Sequence, residues 1–194
     1  MPSYKAPVED ALLLLKDVFA IERYNNLAGF AEATPDMIEA ILAEGAKLCE
    51  EVLAPLNRVG DGECCTRLDD GSVRTPSGFK AAYDAYRNGG WMGISAPAEY
   101  GGQGLPTTLN TIMQEFVSSA NLALGMYPGL TQGAIAALYV HGSDEQKRTY
   151  LPKMIEGSWT GTMNLTEPHC GTDLGMLKTK AAPNGDGSYA ISGT

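Results

Sequence analysis

The chain has 194 residues, 44% of them hydrophobic and 19% charged, which is enough for one full domain or one and a half small ones and too apolar for a disordered tail. Fourteen Lys and Arg against twenty-three Asp and Glu leave a formal charge of -9, so no basic stripe exists to neutralise phosphates, which argues against nucleic-acid binding. No apolar run approaches the roughly 20 residues that cross a bilayer, the opening Met1-Pro-Ser-Tyr-Lys5 lacks a signal-peptide layout, and four cysteines without a CxxC pair or zinc spacing read as free thiols, so a cytoplasmic protein is expected.

In chain order, the spacing of Leu12, Leu15 and Phe19 predicts a short amphipathic helix from Val8 to Ala20. The next helix is marked by Thr34 as N-cap, Pro35 at the first helical position and Asp36 at the positive end of the dipole. Ile38, Ile41, Leu42, Leu48, Cys49 and Val52 carry it to about Leu53. Asp61 to Pro76 reads as a loop that folds back as a hairpin around Asp70-Gly71. Phe79, Tyr83 and Tyr86 lie along one face of a helix from Ser77 to Asn88, which Gly89-Gly90 ends.

A Gly-rich stretch, Gly90 to Gly104, lacks the GxGxxG spacing of a dinucleotide loop and reads as an ordered, aromatic-anchored connection. Two helices are expected beyond it, Pro106 to Asn121 and Gly129 to Val140, the second closed by His141-Gly142. Ser143-Asp-Glu-Gln146 is a capping box opening a helix to Glu156. After Trp159 the pattern changes to strands, Trp159–Leu165, Leu177–Ala181 and Ser188–Ser192, the last two joined at Asn184–Gly187. The fold expected is therefore mainly α followed by a few strands, with domains at 1–157 and 158–194. Three short strands leave open edges, so the chain reads as the front, truncated portion of a larger protein.

The segment with most chemical content is Met163-Asn-Leu-Thr-Glu-Pro-His-Cys-Gly-Thr-Asp173. Its flexible glycine and short hydroxyls suit an acceptor-rich planar ligand or a phosphate, although the same Thr and Asp side chains also satisfy their own backbone in plain turns. Glu167 is expected to fix the turn. His169 beside Cys170 suggests a nucleophilic pair only if a third group orients it, and none is specified. His141 is expected to act at a helix C-terminus, and Tyr83, Tyr86 and Trp91 as packing anchors. No metal site is expected.

Three motifs in order, Gly90-Trp-Met-Gly-Ile-Ser-Ala-Pro-Ala-Glu-Tyr-Gly-Gly-Gln-Gly104, Gly142-Ser-Asp-Glu-Gln-Lys-Arg-Thr-Tyr-Leu-Pro-Lys153 and Leu165-Thr-Glu-Pro-His-Cys-Gly-Thr-Asp173, resemble the acyl-CoA dehydrogenase family. Tyr4-Lys-Ala-Pro-Val-Glu-Asp10 and the His-Cys-Gly-Thr wording resemble its long branch, which includes 3-methylmercaptopropionyl-CoA dehydrogenases. The resemblance implies a helical N-terminal domain and the start of a middle β-domain of an FAD enzyme that forms an α,β double bond in an acyl-CoA. Electrons would pass to an electron-transfer flavoprotein, and the full-length protein would be a homo-oligomer. It implies flavin contacts at Met163, Leu165 and Thr166, with Gly171 and Thr172 toward the pyrophosphate and Thr172 toward the thioester substrate. Met163 stands where many members carry an aromatic residue, and Thr172 replaces the usual Ser while keeping its hydroxyl. The family's glutamate base lies outside this chain, Glu115 and Glu167 not being in its position, so these residues alone are expected to be inactive. Rival readings are a non-catalytic helical CoA-binding or interaction module and a flavin oxidase on the same scaffold.

Overall fold

A computed structural model describes residues 3–193 as two compact units, one reaching Gly161 and one beginning at Thr162. The first is helical. Helix α1 (Val8–Leu13) continues into a wider turn, Leu14–Val18, closed by the Phe19 amide donating to the Leu14 carbonyl at 2.8 Å. That bond spans five residues instead of four, so the extra residue carries Phe19 off the expected stripe. Ala11 and Leu15 are buried and Phe19 is exposed, which corrects the predicted face. Ahead of α1, Glu50 pairs with Lys5 and accepts from the Ala6 amide at 3.0 Å, tying this segment to the helix that follows.

Helix α2 (Pro35–Leu48) starts where expected, Thr34 Oγ1 accepting from the Met37 amide at 3.4 Å. It does not stop at Leu53. A second wide turn, Cys49–Leu53, leads straight into α3 (Ala54–Glu63). Pro55 explains the widening, because it has no N–H for the Glu51 carbonyl and its ring would crowd that carbonyl in a regular turn. The helix therefore absorbs the first residues of the predicted loop. The rest forms the expected hairpin, β1 (Thr66–Arg67) with β2 (Val73–Arg74), in which Asp70 Oδ1 accepts from the Ser72 amide at 2.9 Å.

Helix α4 (Phe79–Asn88) begins two residues later than predicted, behind Gly78. Gly90–Gly104 is ordered, as read: Gln103, Gly104 and Leu105 donate back to Gly93, Ala96 and Ile94. Gly102 is obligatory there, since a Cβ would sit 2.1 Å from the Ala96 carbonyl oxygen.

Helix α5 (Thr107–His141) is the centre of the unit. It is helical except at Asn121, whose φ of -160° and ψ of 88° divide it into two arms. The arms fold back on one another: Gln132 bonds Gln114 and Asn110, residues that a straight helix would hold far apart. The reversal is held by the Asn121 side chain, which caps the second arm through the Leu124 amide at 3.1 Å and donates to the Leu53 carbonyl at 3.1 Å. A Cβ at Gly125 would lie 2.9 Å from Val117 Cγ1, so glycine sets the closeness of the arms. Two arms are what the sequence predicts, with the second beginning directly after Asn121 instead of at Gly129. Helix α6 (Asp144–Ile155) carries the complete capping box, Gln146 N to Ser143 Oγ at 3.2 Å and Ser143 N to Gln146 Oε1 at 2.9 Å. The core joins Ile38 and Leu42 of α2, Leu109, Met113 and Phe116 of α5 and Leu151 of α6.

From Thr162 onward the second unit holds β3 (Lys180–Pro183) antiparallel to β4 (Tyr189–Ser192), in register Lys180 to Ser192 through Pro183 to Tyr189. The turn between them repeats the earlier device, Asp186 Oδ1 accepting from the Ser188 amide at 2.9 Å. The predicted strand Trp159–Leu165 does not form. Among the described residues, only two amides in it bond: Trp159 to the Lys153 carbonyl at 3.1 Å and Gly161 to Thr131 Oγ1 at 3.1 Å. A strand needs an edge to pair with, and none reaches it.

Candidate functional site

The turn Met163–Asp173 is built by one carboxylate. Glu167 and Cys170 exchange main-chain bonds at 3.0 Å, closing a tight reversal around Pro168 and His169. The Glu167 carboxylate then reaches to the Lys178 amide at 3.0 Å and the Thr179 amide at 2.9 Å. Hydrogen bonds from the Thr179 side chain and from these two amides hold its pKa down at about 2, with His169 adding to the effect. Those two amides are also why β3 starts at Lys180 and not at Leu177: they are already committed and cannot join the ladder.

His169 Nε2 lies 3.0 Å from the Met176 carbonyl and 3.3 Å from Glu167 Oε2. Both neighbours accept, so Nε2 carries the proton. Glu167, His169 and Cys170 bring one potential ligand atom each within 4.8 Å of one another. Glu167 accepts from two main-chain amides and His169 Nε2 faces a main-chain carbonyl, so these two side chains act as a clamp on residues 167–179. Glu167 does hold the turn, as its place in the sequence suggested.

With the turn fixed, the remaining residues face outward. Met163 is 68% exposed and Leu165 44%. Thr166, Gly171 and Thr172 are exposed beside them. Among the described residues, the amides of Met163, Leu165, Thr166, Gly171 and Thr172 donate to no protein acceptor. The five residues thus offer two apolar side chains, two hydroxyls and, among the described residues, five amides without a protein acceptor. Such a donor set fits the apolar face, acceptor-rich edge and diphosphate of a dinucleotide.

The first unit contributes a different feature. A cavity of about 280 Å3 opens between the Gly-rich connection and α5, lined by Met92, Ser95, Asn110, Gln132, Ile135 and Tyr139 among others. Sequence reading passed over its amides. The available signal was Asn110 and Gln114, one turn apart on a helix whose neighbouring positions Leu109 and Met113 are apolar. His141, expected at the end of the second arm, is exposed and bonds no carbonyl among the described residues; the Gly142 amide closes the arm onto Leu138 at 2.8 Å. Tyr83 and Tyr86 anchor packing as expected, donating to the Gly157 carbonyl at 2.9 Å and the Trp91 carbonyl at 3.3 Å. All four cysteines are free thiols. Cys49 is buried, which pushes its thiol up to about 12 and leaves it inert. Among the described residues no helix is long and apolar enough to cross a membrane.

Comparison with known proteins places these features in a lineage. Residues 38–158 match the family described as "Acyl-CoA dehydrogenase, N-terminal domain". Over 192 residues the chain is 44% identical to 3-methylmercaptopropionyl-CoA dehydrogenase of Ruegeria pomeroyi, covering 99% of this chain and 32% of that relative. It thus spans about a third of the length of that curated relative. Among solved structures, acyl-CoA dehydrogenase complexed with FAD from Bacillus anthracis superposes with a TM-score of 0.66 at 25% identity, over 81% of this chain and 25% of that one. A chain in the structure described as electron transferring flavoprotein of Acidaminococcus fermentans does so at 0.66 and 29% identity, over 80% and 38%.

Proposed function

The chain belongs to the acyl-CoA dehydrogenase family, and from that premise we propose that it supplies the helical N-terminal domain, residues 1–157, and the start of the β-domain, residues 158–194, of an FAD-dependent enzyme. The reaction is removal of two hydrogens from Cα and Cβ of an acyl-CoA thioester, leaving an α,β double bond. One observation carries the reading: the exposed apolar side chains, hydroxyls and unpaired amides of 163–172, in the segment whose turn Glu167 holds.

Bound FAD would supply the two-electron acceptor for the substrate's β-hydride. This chain's own residues bind and orient. Met163 and Leu165 would pack on the apolar ring face, and the Thr166 hydroxyl and amide would donate to its polar edge. Gly171 would let the main chain approach the diphosphate; a Cβ there would meet only Thr166 Cγ2 at 3.8 Å. Thr172 would donate there and toward the thioester. The base that takes the α-proton is not among these residues. The likeness to the Acidaminococcus fermentans chain supports an electron-transfer flavoprotein as the onward partner. The free thiols support a cytoplasmic location, and the family resemblance supports a homo-oligomeric holoenzyme.

The test is anaerobic mixing of the intact flavin-loaded protein with a series of acyl-CoAs while flavin absorbance is followed. Bleaching is expected, with slow reoxidation by oxygen and fast reoxidation by electron-transfer flavoprotein. Binding of CoA thioesters without bleaching would instead support a non-catalytic module, and fast turnover with oxygen an oxidase. Thr166→Val should weaken FAD binding about five- to hundredfold, the equivalent of a lost bond of about 1–3 kcal/mol, without changing the apoprotein melt. Flavin affinity that survives in Thr166→Val but collapses in a folded Glu167→Gln variant would reverse these roles.

A further inference from the structure

The cluster at the tip of the turn carries three unlike donors, a carboxylate oxygen of Glu167, a ring nitrogen of His169 and the sulfur of Cys170, all within 4.8 Å of one another. Two of them already have the spacing of metal ligands. His169 Nε2 lies 3.3 Å from Glu167 Oε2, and a tetrahedral ion with bonds of about 2.0–2.1 Å sets two such atoms about 3.3–3.4 Å apart. The Met176 carbonyl oxygen is 3.0 Å from the same nitrogen. A cation that replaces the Nε2 proton therefore meets one nitrogen and two oxygens, with Cys170 Sγ as the fourth donor. The sulfur has furthest to come: a bond of about 2.3 Å places it about 3.5–3.7 Å from the other donors, against the 4.8 Å that bounds it in the metal-free turn.

The donors have capacity to spare. Glu167 is 6% exposed, and its two oxygens offer about four lone pairs. The Lys178 and Thr179 amides, at 3.0 and 2.9 Å, orient the carboxylate as outer-shell partners do and leave Oε2 a lone pair toward His169. Cys170 is also 6% exposed, and among the described residues its thiol has no hydrogen-bond partner. A buried thiol ordinarily behaves as a small apolar group; this one shares its surroundings with a carboxylate and an imidazole. The His169 side chain is 29% exposed, which gives an ion a way in. The protons balance simply: the one on Nε2 moves to Nδ1, and the Cys170 proton leaves to solvent as the sulfur binds.

We propose that Glu167 Oε2, His169 Nε2, Cys170 Sγ and the Met176 carbonyl oxygen form a structural site for one borderline-soft divalent cation of the Zn2+ class. Nitrogen and sulfur in the donor set select against Mg2+ and Ca2+, which take oxygen. Four protein ligands leave no open position, which makes the site structural and not catalytic. It fastens residues 167–170 to residue 176 across the loop that holds Gly171 and Thr172. Glu167 and Cys170 are also the buried residues among those described from Thr162 onward, so the ion binds where this unit is shielded from water. The proposal does not depend on the acyl-CoA reading.

The experiment takes the intact flavin-loaded protein, dialysed against a chelator and kept anaerobic, and titrates it with Zn2+ in a calorimeter and with Co2+ in a spectrophotometer. A Zn2+ site with a Kd of about 1 μM or below is expected. Co2+ should give the strong red d–d absorption of a four-coordinate site, at wavelengths where oxidised flavin is transparent. Cys170→Ser and His169→Gln should each weaken Zn2+ binding by at least about tenfold, the loss that even outer-shell partners carry. Because His169 is exposed, the glutamine variant keeps the test decisive where the serine variant does not fold. A Cys64→Ser, Cys65→Ser double variant should bind as the parent does, since those exposed thiols lie in the first unit. The proposal is overturned by a Kd weaker than about 100 μM, by an affinity that His169→Gln leaves unchanged, by loss of the site in the Cys64, Cys65 variant, or by displacement of Zn2+ with Mg2+ or Ca2+.

Discussion

Phe116, in the first arm of α5, is 0% exposed, and Ile191, in β4, is 76% exposed. Both are large apolar side chains in regular secondary structure, yet one is held by packing and the other is not. The contrast extends to their units. Up to Gly161 the chain buries apolar residues from α1, α2, α4, α5 and α6 in one continuous core. Among the described residues from Thr162 onward, only Glu167 and Cys170 are buried, and every residue of β3 and β4 is exposed. What orders the second unit is hydrogen bonding: the four-pair register of β3 and β4, the Asp186 turn and the Glu167 clamp. An isolated two-stranded hairpin is marginal in water, so the two units differ in what can break them.

The sharpest way to break the comparison is to remove core volume. Phe116→Ala should cost about 3–5 kcal/mol in the first unit, read by thermal or denaturant melts, whereas Ile191→Ala should shift the same transition by less than about 0.5 kcal/mol. Equal effects would mean that the second unit is packed after all.

A smaller effect is expected inside the first unit where a polar side chain, not an apolar one, sets the geometry. Asn121→Ala leaves the Leu124 amide uncapped and the Leu53 carbonyl without its partner, for a loss of about 1–3 kcal/mol. Because the reversal brings Gln114 to Gln132, amide exchange should accelerate at Leu124 and at both glutamines' side chains together. Acceleration at Leu124 alone would show that the arms pair without Asn121.

The smallest change in global stability belongs to the clamp. Glu167 titrates at about 2 in the folded state against an ordinary value of 4.5. A depressed carboxylate stabilises above the unfolded value and loses that contribution as pH falls through the folded one, so the window is about pH 4.5 to 2. Across it the Lys178 and Thr179 amide resonances should titrate together while the melt of the helical unit is otherwise insensitive to Glu167→Gln. Amides that titrate near 4.5 would show that the clamp is not formed.

Much of this architecture is legible residue by residue. Thr34-Pro35, the Ser143-Gln146 box, Gly89-Gly90 and the Asp70-Gly71 and Asn184–Gly187 turns act through neighbours within a few positions, and each ends or starts an element near where sequence reading placed it. The misses share a different cause. The wide turns before Phe19 and Pro55 are local, but they change the helical period itself, so a stripe counted at 3.6 residues per turn drifts off the buried face. Trp159–Leu165 has the alternation of a strand and lacks the edge that would make it one.

At the candidate sites the same division holds. The order of the three motifs was enough to identify the family, and the glycine, hydroxyl and carboxylate of Leu165–Asp173 were enough to single out the turn and assign Glu167 to holding it. Sequence alone could not show that the carboxylate reaches eleven and twelve residues ahead to Lys178 and Thr179, nor that Gln132 meets Gln114 and Asn110 eighteen and twenty-two residues away. Caps and turns are short-range chemistry written in adjacent residues. Which amides share a wall depends on where the chain reverses, and that was decided only when Asn121 turned α5 back upon itself.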